Sequence, residues 1–346
     1  MSALKIEPTR SIVAEIRAVA ARTDLGAERM HETIDAIMGG EVSQTQIAAL
    51  LVALALKGET AYELAGAATA MRAHATPVRT VRKDAIDVCG TGGDCAGTFN
   101  ISTAVAFVVA GAGVAVAKHG NRAMSSRCGS ADVLEALGVR IDLDAERCGQ
   151  ILDEHGIAFM FAQAYHPAMR HVAPVRRELG VRTLFNLLGP LTNPAGVRRQ
   201  IVGVAQPHAQ PIVAHALGLL GSERTAVIHG GDGLDEATLA MPTRVIEWHG
   251  QGTTEYELSP EQAGLERAPT RALAGGDAGA NAAMVRGVLD GDGGPRRDVV
   301  VLNAALALLI AGAAADIAQG AAAARRSIDS GAARAKLADL VRESQR

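Results

Sequence analysis

Aromatic side chains are scarce in this 346-residue chain, at 3% with a single tryptophan, and positive charge is not in excess. The formal net charge is −3, from 34 Lys+Arg against 37 Asp+Glu. With neither an aromatic stacking platform nor a global basic field, nucleic acid and anionic membrane surfaces are not expected partners. Cysteine is also sparse. Cys89, Cys95, Cys128 and Cys148 show neither zinc-ribbon nor CxxC spacing. No secretory leader is evident at the N-terminus, so these thiols are read as reduced, in a cytosolic (cytoplasmic) protein. Long apolar runs are missing too. The longest, Val299–Ala315, contains Asn303 and falls short of the roughly 20 residues that a membrane span needs. It reads instead as alanine-rich buried helix.

What is plentiful is hydrophobic residue content, at 48%, and glycine, at 38 residues. The first suffices for one large domain or two unequal ones; the second suits tight turns and close backbone approach to ligands. The first 80 residues read as helix throughout. Ile12-Val13-Ile16-Val19 and Met30-Ile34-Ile37-Met38 have helical spacing, and Gly39-Gly40 stops the second. Ser43-Gln44-Thr45-Gln46 and Thr60-Ala61-Tyr62-Glu63 read as capping boxes before the next two apolar runs, with Gly58 between them.

From about residue 84 short β-branched runs alternate with helical stretches: Ile86–Val88, Val114–Val116, Ile157–Met160, Ile201–Val204 and Thr225–Ile228. That alternation predicts a mostly parallel sheet with crossover helices, an α/β architecture. Two segments interrupt it. Residues 167–195 look helical and loop-rich, as a return to the first helical unit. Residues 244–258 read as an antiparallel hairpin turning at His249-Gly250-Gln251-Gly252, followed by a helix capped by Ser259-Pro260-Glu261-Gln262. The tail, 321–346, reads as one amphipathic Ala/Arg helix.

Three segments carry chemistry. Gly90-Thr91-Gly92-Gly93-Asp94, continuing to Thr98, Asn100, Ser102 and Thr103, is a glycine-rich turn into a helix, crowded with donors. Its backbone N–H groups and the helix N-terminus suit a polyanion, although the spacing is neither the dinucleotide fingerprint nor a P-loop. Lys118-His119-Gly120-Asn121-Arg122-Ala123-Met124-Ser125-Ser126 follows a buried-strand pattern and reads as a dense polar loop whose lysine suits phosphate. Asp232-Gly233-Leu234-Asp235-Glu236 places adjacent carboxylates after a strand, which suits a hydrated Mg²⁺ sharing substrate phosphates, or equally an acidic helix start. Arg176 and Arg177 lie on a predicted helix after His166-Pro167; a guanidinium there can clamp a carboxylate.

Taken in order, GTGGD (90–94), GTFNIST (97–103), KHGNRAMSS (118–126), GSADVLEALG (129–138), HPAMRHVAPVRRELGVRTLFNLLGPLTNP (166–194) and HGGDGLDE (229–236) resemble the anthranilate phosphoribosyltransferase family. The resemblance runs from about residue 25 to 340. It implies a small all-helical domain plus a large domain with a mostly parallel central sheet flanked by helices. The division would be 1–80 with 167–195, and 81–166 with 196–346, with the active site in the cleft and homodimers formed through the small domain. It also implies an activity of tryptophan biosynthesis: transfer of a phosphoribosyl group from phosphoribosyl pyrophosphate to the amine of anthranilate. By the same resemblance Gly90, Gly93, Asp94, Thr98, Asn100, Ser102, Thr103, Lys118, Asn121 and Ser126 would contact phosphoribosyl pyrophosphate. Mg²⁺ would be held by Ser102, Asp235 and Glu236. Anthranilate would meet Gly90, Asn121 and Arg176, with His119 and His166 lining its approach, and Lys118 would stabilise the leaving group. Cys95 stands where the family often has glycine. The rival on the same fold, a pyrimidine nucleoside phosphorylase, uses inorganic phosphate and has less use for the Asp235-Glu236 pair.

Overall fold

The computed structural model describes residues 10–123 and 127–346. Four helices come first: α1 (Val13–Ala20), α2 (Gly26–Met38), α3 (Gln44–Lys57) and α4 (Ala61–Ala73). The Thr60 box is reciprocal, with the Glu63 backbone N–H donating to Thr60 Oγ1 and the Glu63 carboxylate accepting from the Thr60 N–H. The Ser43 box is not. Ser43 does cap α3, but the Gln46 carboxamide oxygen accepts from the Ile12 backbone N–H at 2.9 Å, tying the entrance of α1 to α3. A tertiary donor has outcompeted the local one.

The α/β part runs β1 (Ile86–Gly90), α5 (Ile101–Gly111), β2 (Val116–Gly120), α6 (Ser130–Leu137), α7 (Ala145–His155) and β3 (Ile157–Phe161). The chain then leaves the sheet through α8 (Ala162–Tyr165), a 3₁₀ turn at Pro167–His171, α9 (Ala173–Leu179), α10 (Phe185–Leu188) and a second 3₁₀ turn at Gly189–Thr192. It comes back as β4 (Arg199–Gly203), α11 (Ala209–Leu219), β5 (Arg224–Gly230), β6 (Thr243–Trp248) and β7 (Thr253–Leu258). It closes with α12 (Ala278–Asp290), α13 (Pro295–Ile310), α14 (Ile317–Asp329) and α15 (Ala332–Ser344).

The seven strands lie in the order β3-β2-β1-β4-β5-β6-β7. β1 to β5 are parallel, and β6 and β7 form the expected antiparallel hairpin. From β1 the chain builds outward to β2 and β3, then returns to the other side of β1 as β4. The strand order therefore reverses between β1 and β4, which is where open α/β sheets bind ligands, beyond the carboxyl ends of the strands.

Three further expectations need correction. β2 does not stop before Lys118 but continues through Gly120, because Lys118, His119 and Gly120 pair in register with Phe159, Met160 and Phe161 of β3. Lys118 and His119 are thus buried strand residues, 4% and 6% exposed, not loop residues. Ser259–Gln262 caps only a 3₁₀ turn at Pro260–Ala263, ended by Gly264 at φ +64°. The tail forms two helices, broken at Gly331 with φ +77°.

Two apolar clusters fill the molecule. One lies on the sheet under α5, α12 and α13. From Val299 onward α13 is apolar but for Asn303 and is buried through Ile310, Leu309 alone being half-buried. The other unites α1–α4 with Val172, Val175, Leu184, Phe185, Leu188 and Leu191, and reaches Val202, Val204, Val227 and Ile246 of the sheet through α11. Residues 172–191 thus contribute apolar side chains to the cluster of the N-terminal helices.

Candidate active site

Two glycines bring the acidic segment to the switch point. A Cβ on Gly203, at the end of β4, would collide with the Asp235 carbonyl, and one on Gly90, at the end of β1, would lie 2.5 Å from Asp235 Oδ2. Both positions need a bare backbone for residues 232–236 to cross so closely. Asn303, the polar residue inside the apolar run, fixes the next residue: its Nδ2 donates to the Ala237 carbonyl at 2.8 Å and its Oδ1 accepts from the Ala237 N–H at 2.9 Å.

The carboxylates are held by the two ends of the glycine-rich turn into α5. Asp235 Oδ2 accepts from the Gly92 N–H at 2.7 Å, and Glu236 Oε1 from the Ser102 N–H at 3.1 Å, in the first turn of α5. Both side chains keep only an edge towards the cleft. Burial pushes the Asp235 carboxyl upward, reinforced by Asp94, and burial then Asp235 do the same to Glu236, with Lys118 pulling the other way. A pair of desolvated neighbouring carboxylates is a site that wants a cation. Among the described residues no three His, Cys, Asp or Glu side chains cluster to hold a metal unaided. That fits an ion such as Mg²⁺, which takes one or two carboxylates and completes its shell with water and phosphate oxygens.

Lys118 Nζ donates to the Val88 carbonyl at 2.6 Å and to Ser102 Oγ at 3.2 Å. It therefore joins β2, β1 and α5 behind the carboxylates. Asp87 lies fully buried on β1, accepting from the His119 N–H at 3.2 Å and from Asn193 Nδ2 at 2.8 Å. Burial raises its pKa and Lys118 lowers it.

The glycine loop has Gly92 at φ +66°, Gly93 at +81° and Gly97 at +63°, and Cys95 shares this left-handed region at +57°. Cys95 thus adopts the conformation that the family's glycine suits, at a cost of roughly 1–2 kcal/mol. The far side of the loop is clamped by the turn before α12: Gly275 N–H donates to the Gly97 carbonyl, Thr98 bridges to Ala274, and Asn281 Nδ2 donates to Asn100 Oδ1 at 2.8 Å. Asn100 Nδ2 in turn donates to the Cys128 carbonyl at 3.3 Å, linking the two anion-binding segments. Thr103 Oγ1 is buried without a partner among the described residues.

A second group gathers around residues 185–192. Arg176 lies over the Phe185 ring, 5.6 Å from its centroid, and makes no ion pair among the described residues. His119 Nδ1 is 3.1 Å from the Gly189 carbonyl, which can only accept, so Nδ1 carries the proton and Nε2 is left as a buried, unpartnered acceptor. The buried His166 ring stands 5.2 Å from that of His119 and lies beside the Thr192 backbone, which favours its charged form. Burial drives His119 down to about 3 and His166 to about 4. Both are neutral at pH 7. Asn121, just past β2, is exposed, its Oδ1 accepting from the Arg122 N–H. Ser126 lies outside the described residues.

The structure thus brings Gly90, Asp94, Ser102, Lys118, Asp235 and Glu236 into one cluster, and Arg176, His119 and His166 against one segment. The sequence reading missed Asp87, Asn193, Asn281 and Asn303, each a buried side chain working through backbone groups or other side chains, and Arg182, which donates to the Gly92 and Gly93 carbonyls. Asp87, Asn193 and Arg182 lie in or next to the motif segments, whereas Asn281 and Asn303, on α12 and α13, lie in none of them.

A helical bundle joined to an α/β domain, with anion-binding loops and paired carboxylates at the switch point, defines a glycosyl transferase of two-domain type. Family models agree: the glycosyl transferase family helical bundle domain matches residues 14–75, and its a/b domain matches residues 82–334. An anthranilate phosphoribosyltransferase of Thermomicrobium roseum is 56% identical over 329 residues, 94% of each chain. The crystal structure of that enzyme from Thermus thermophilus superposes with a TM-score of 0.91 at 48% identity, covering 96% of this chain and 99% of its own. The Saccharomyces cerevisiae enzyme, solved in complex with PRPP and Mg, gives 0.89 at 27% identity over 96% and 97%. The chain belongs to the anthranilate phosphoribosyltransferase family.

Proposed function

We propose that this enzyme transfers the 5-phosphoribosyl group of phosphoribosyl pyrophosphate to the amine of anthranilate, releasing pyrophosphate, with Mg²⁺ as cofactor. The observation that carries this reading is the Asp235-Glu236 pair, held between the glycine loop and the N-terminus of α5 with Lys118 behind it. Glu236 and Ser102, with Asp235, would hold Mg²⁺, which would neutralise pyrophosphate oxygens. Gly93, Asp94, Thr98, Asn100, Thr103, Asn121 and Ser126 are the proposed further contacts to phosphoribosyl pyrophosphate.

The anthranilate nitrogen attacks the anomeric carbon as the bond from that carbon to the pyrophosphate oxygen breaks; the nitrogen then sheds one proton. An aromatic amine is already neutral near pH 7, so no strong base is required. Positioning and leaving-group stabilisation carry the rate, the latter from Lys118 and the loop amides. Arg176 would clamp the anthranilate carboxylate, beside Gly90 and Asn121, with neutral His119 and His166 lining the approach. Anthranilate fluorescence tests the whole: its loss should require phosphoribosyl pyrophosphate and Mg²⁺ together, and a folded protein that leaves it unchanged would sink the proposal. Arg176→Ala should raise the KM for anthranilate by about 10–100-fold, the scale of a lost charge-assisted pair, with a much smaller change for phosphoribosyl pyrophosphate. Equal changes would exclude it as the clamp.

We further propose the division into 1–80 with 167–195 and 81–166 with 196–346, and a homodimer formed through the helical part. Supporting this, α3 exposes Ala49, Ala55 and Leu56, the last at 75%, and Tyr62 at the start of α4 is 59% exposed. An apolar helix face left open on a folded domain marks an interface. Leu56→Glu should convert the dimer to monomer in analytical ultracentrifugation; an unchanged mass would place the interface elsewhere. Among the described residues, no helix is long and apolar enough to cross a membrane.

A further inference from the structure

Arg182 follows α9 and stands at the start of the buried run Thr183, Leu184 and Phe185, so its backbone is fixed in the helical layer. Its guanidinium reaches across to the glycine loop. Nη1 donates to the Gly92 carbonyl at 3.3 Å and to the Gly93 carbonyl at 3.2 Å, and Nη2 donates to the Gly92 carbonyl at 3.3 Å. No carboxylate pairs with it among the described residues, so its charge is not consumed by a salt bridge. A Cβ on Gly93 would run into Nη1.

The consequence follows from peptide geometry. The carbonyl of one residue and the N–H of the next share a planar trans unit and point in opposite directions. Holding the Gly92 carbonyl therefore aims the Gly93 N–H, and holding the Gly93 carbonyl aims the Asp94 N–H, away from Arg182. Neither N–H has a partner among the described residues, while their neighbours Thr91 and Gly92 donate to Gly203 and Asp235. We propose that Arg182 is a positioning residue that sets the Gly93 and Asp94 N–H groups as a paired donor for the pyrophosphate group, acting from the back of the loop and not by touching the ligand. The guanidinium fork is what the task needs, since one planar group must meet two carbonyls at once.

This inference rests on the phosphoribosyl-transfer reading. The test measures pyrophosphate binding by calorimetry in Mg²⁺ buffer for the wild-type enzyme, Arg182→Ala and Arg182→Lys, with the anthranilate KM and the melting temperature of each. Two mis-aimed donors should weaken pyrophosphate binding by about 10–100-fold in both variants, with the anthranilate KM within about twofold of wild type. If Arg182→Ala fails to fold, Arg182→Lys is read alone. Wild-type affinity in Arg182→Lys would mean that charge alone matters and would overturn the positioning role. So would wild-type affinity in Arg182→Ala, or a parallel loss for both substrates. A wild-type enzyme that fails to bind pyrophosphate at all would instead overturn the functional reading, and this inference with it.

Discussion

Replacing Asp235 by Asn together with Glu236 by Gln should reduce turnover by at least about 10³-fold while raising the melting temperature measured without metal. The two amides keep an oxygen for the Gly92 and Ser102 N–H donors, so the local hydrogen bonds can survive. What disappears is charge. Burial and Asp94 oppose ionisation of both groups and Asp235 opposes that of Glu236, while the Gly92 and Ser102 N–H donors and, at Glu236, Lys118 favour it. Two desolvated, adjacent negative charges cost stability that neutral isosteres would not, on the order of 1–2 kcal/mol after relaxation. For a chain of this size that is roughly 1–3 °C in Tm. Mg²⁺ should stabilise the wild-type protein in proportion to its binding and leave the double variant unmoved. A retained Mg²⁺ response would exclude the pair as metal ligands. A fall in metal-free Tm would mean that the carboxylates serve the fold instead.

Much of this architecture was legible in the chain because its signals are local. Turn glycines, the Thr60-Glu63 box and β-branched runs fix elements within a few residues of themselves, and the hairpin read at 244–258 was marked by two runs flanking a glycine turn. The limits of β2 were not legible. A lysine and a histidine read as a polar loop until a partner strand is present, and β3 supplies that partner with Phe159 and Met160. The capping reading at Ser43 failed for a similar reason, since Gln46 found the Ile12 N–H, which lies 34 residues away. The supporting residues of the site are long-range by nature. Asn281 meets Asn100 across 181 positions, Arg182 meets Gly92 across 90, and Asn303 meets Ala237 across 66. No periodicity encodes such pairs. They follow from how α12, α13 and the segment after α9 dock on the sheet. The proposed contact groups, by comparison, sit in short contiguous segments whose residue types alone suggested an anion site.

Lys118→Met should lower kcat/KM by about 10²–10³-fold, the range seen when one buried donor to a developing negative charge is lost. Methionine keeps the length and the packing along β2 but removes the ammonium that lies between the Val88 carbonyl and Ser102 Oγ. That ammonium is also the group that offsets two buried carboxylates, Asp87 and Glu236. Its loss leaves both less compensated, so the metal-free Tm should fall, opposite in sign to the Asp235/Glu236 double variant. Arg should not substitute well, because a planar guanidinium cannot fit where a compact ammonium sits 4% exposed between two strands and a helix. Steady-state kinetics and thermal melts on the same preparations decide the matter. Turnover within about tenfold of wild type would reduce Lys118 to an internal strut. The stronger test is the pair of signs. If the site is an electrostatic device, with a cation and an anion pair balanced around the place where pyrophosphate departs, removing either member lowers activity while the two removals move stability in opposite directions. A mere disturbance of cleft packing would move it the same way twice.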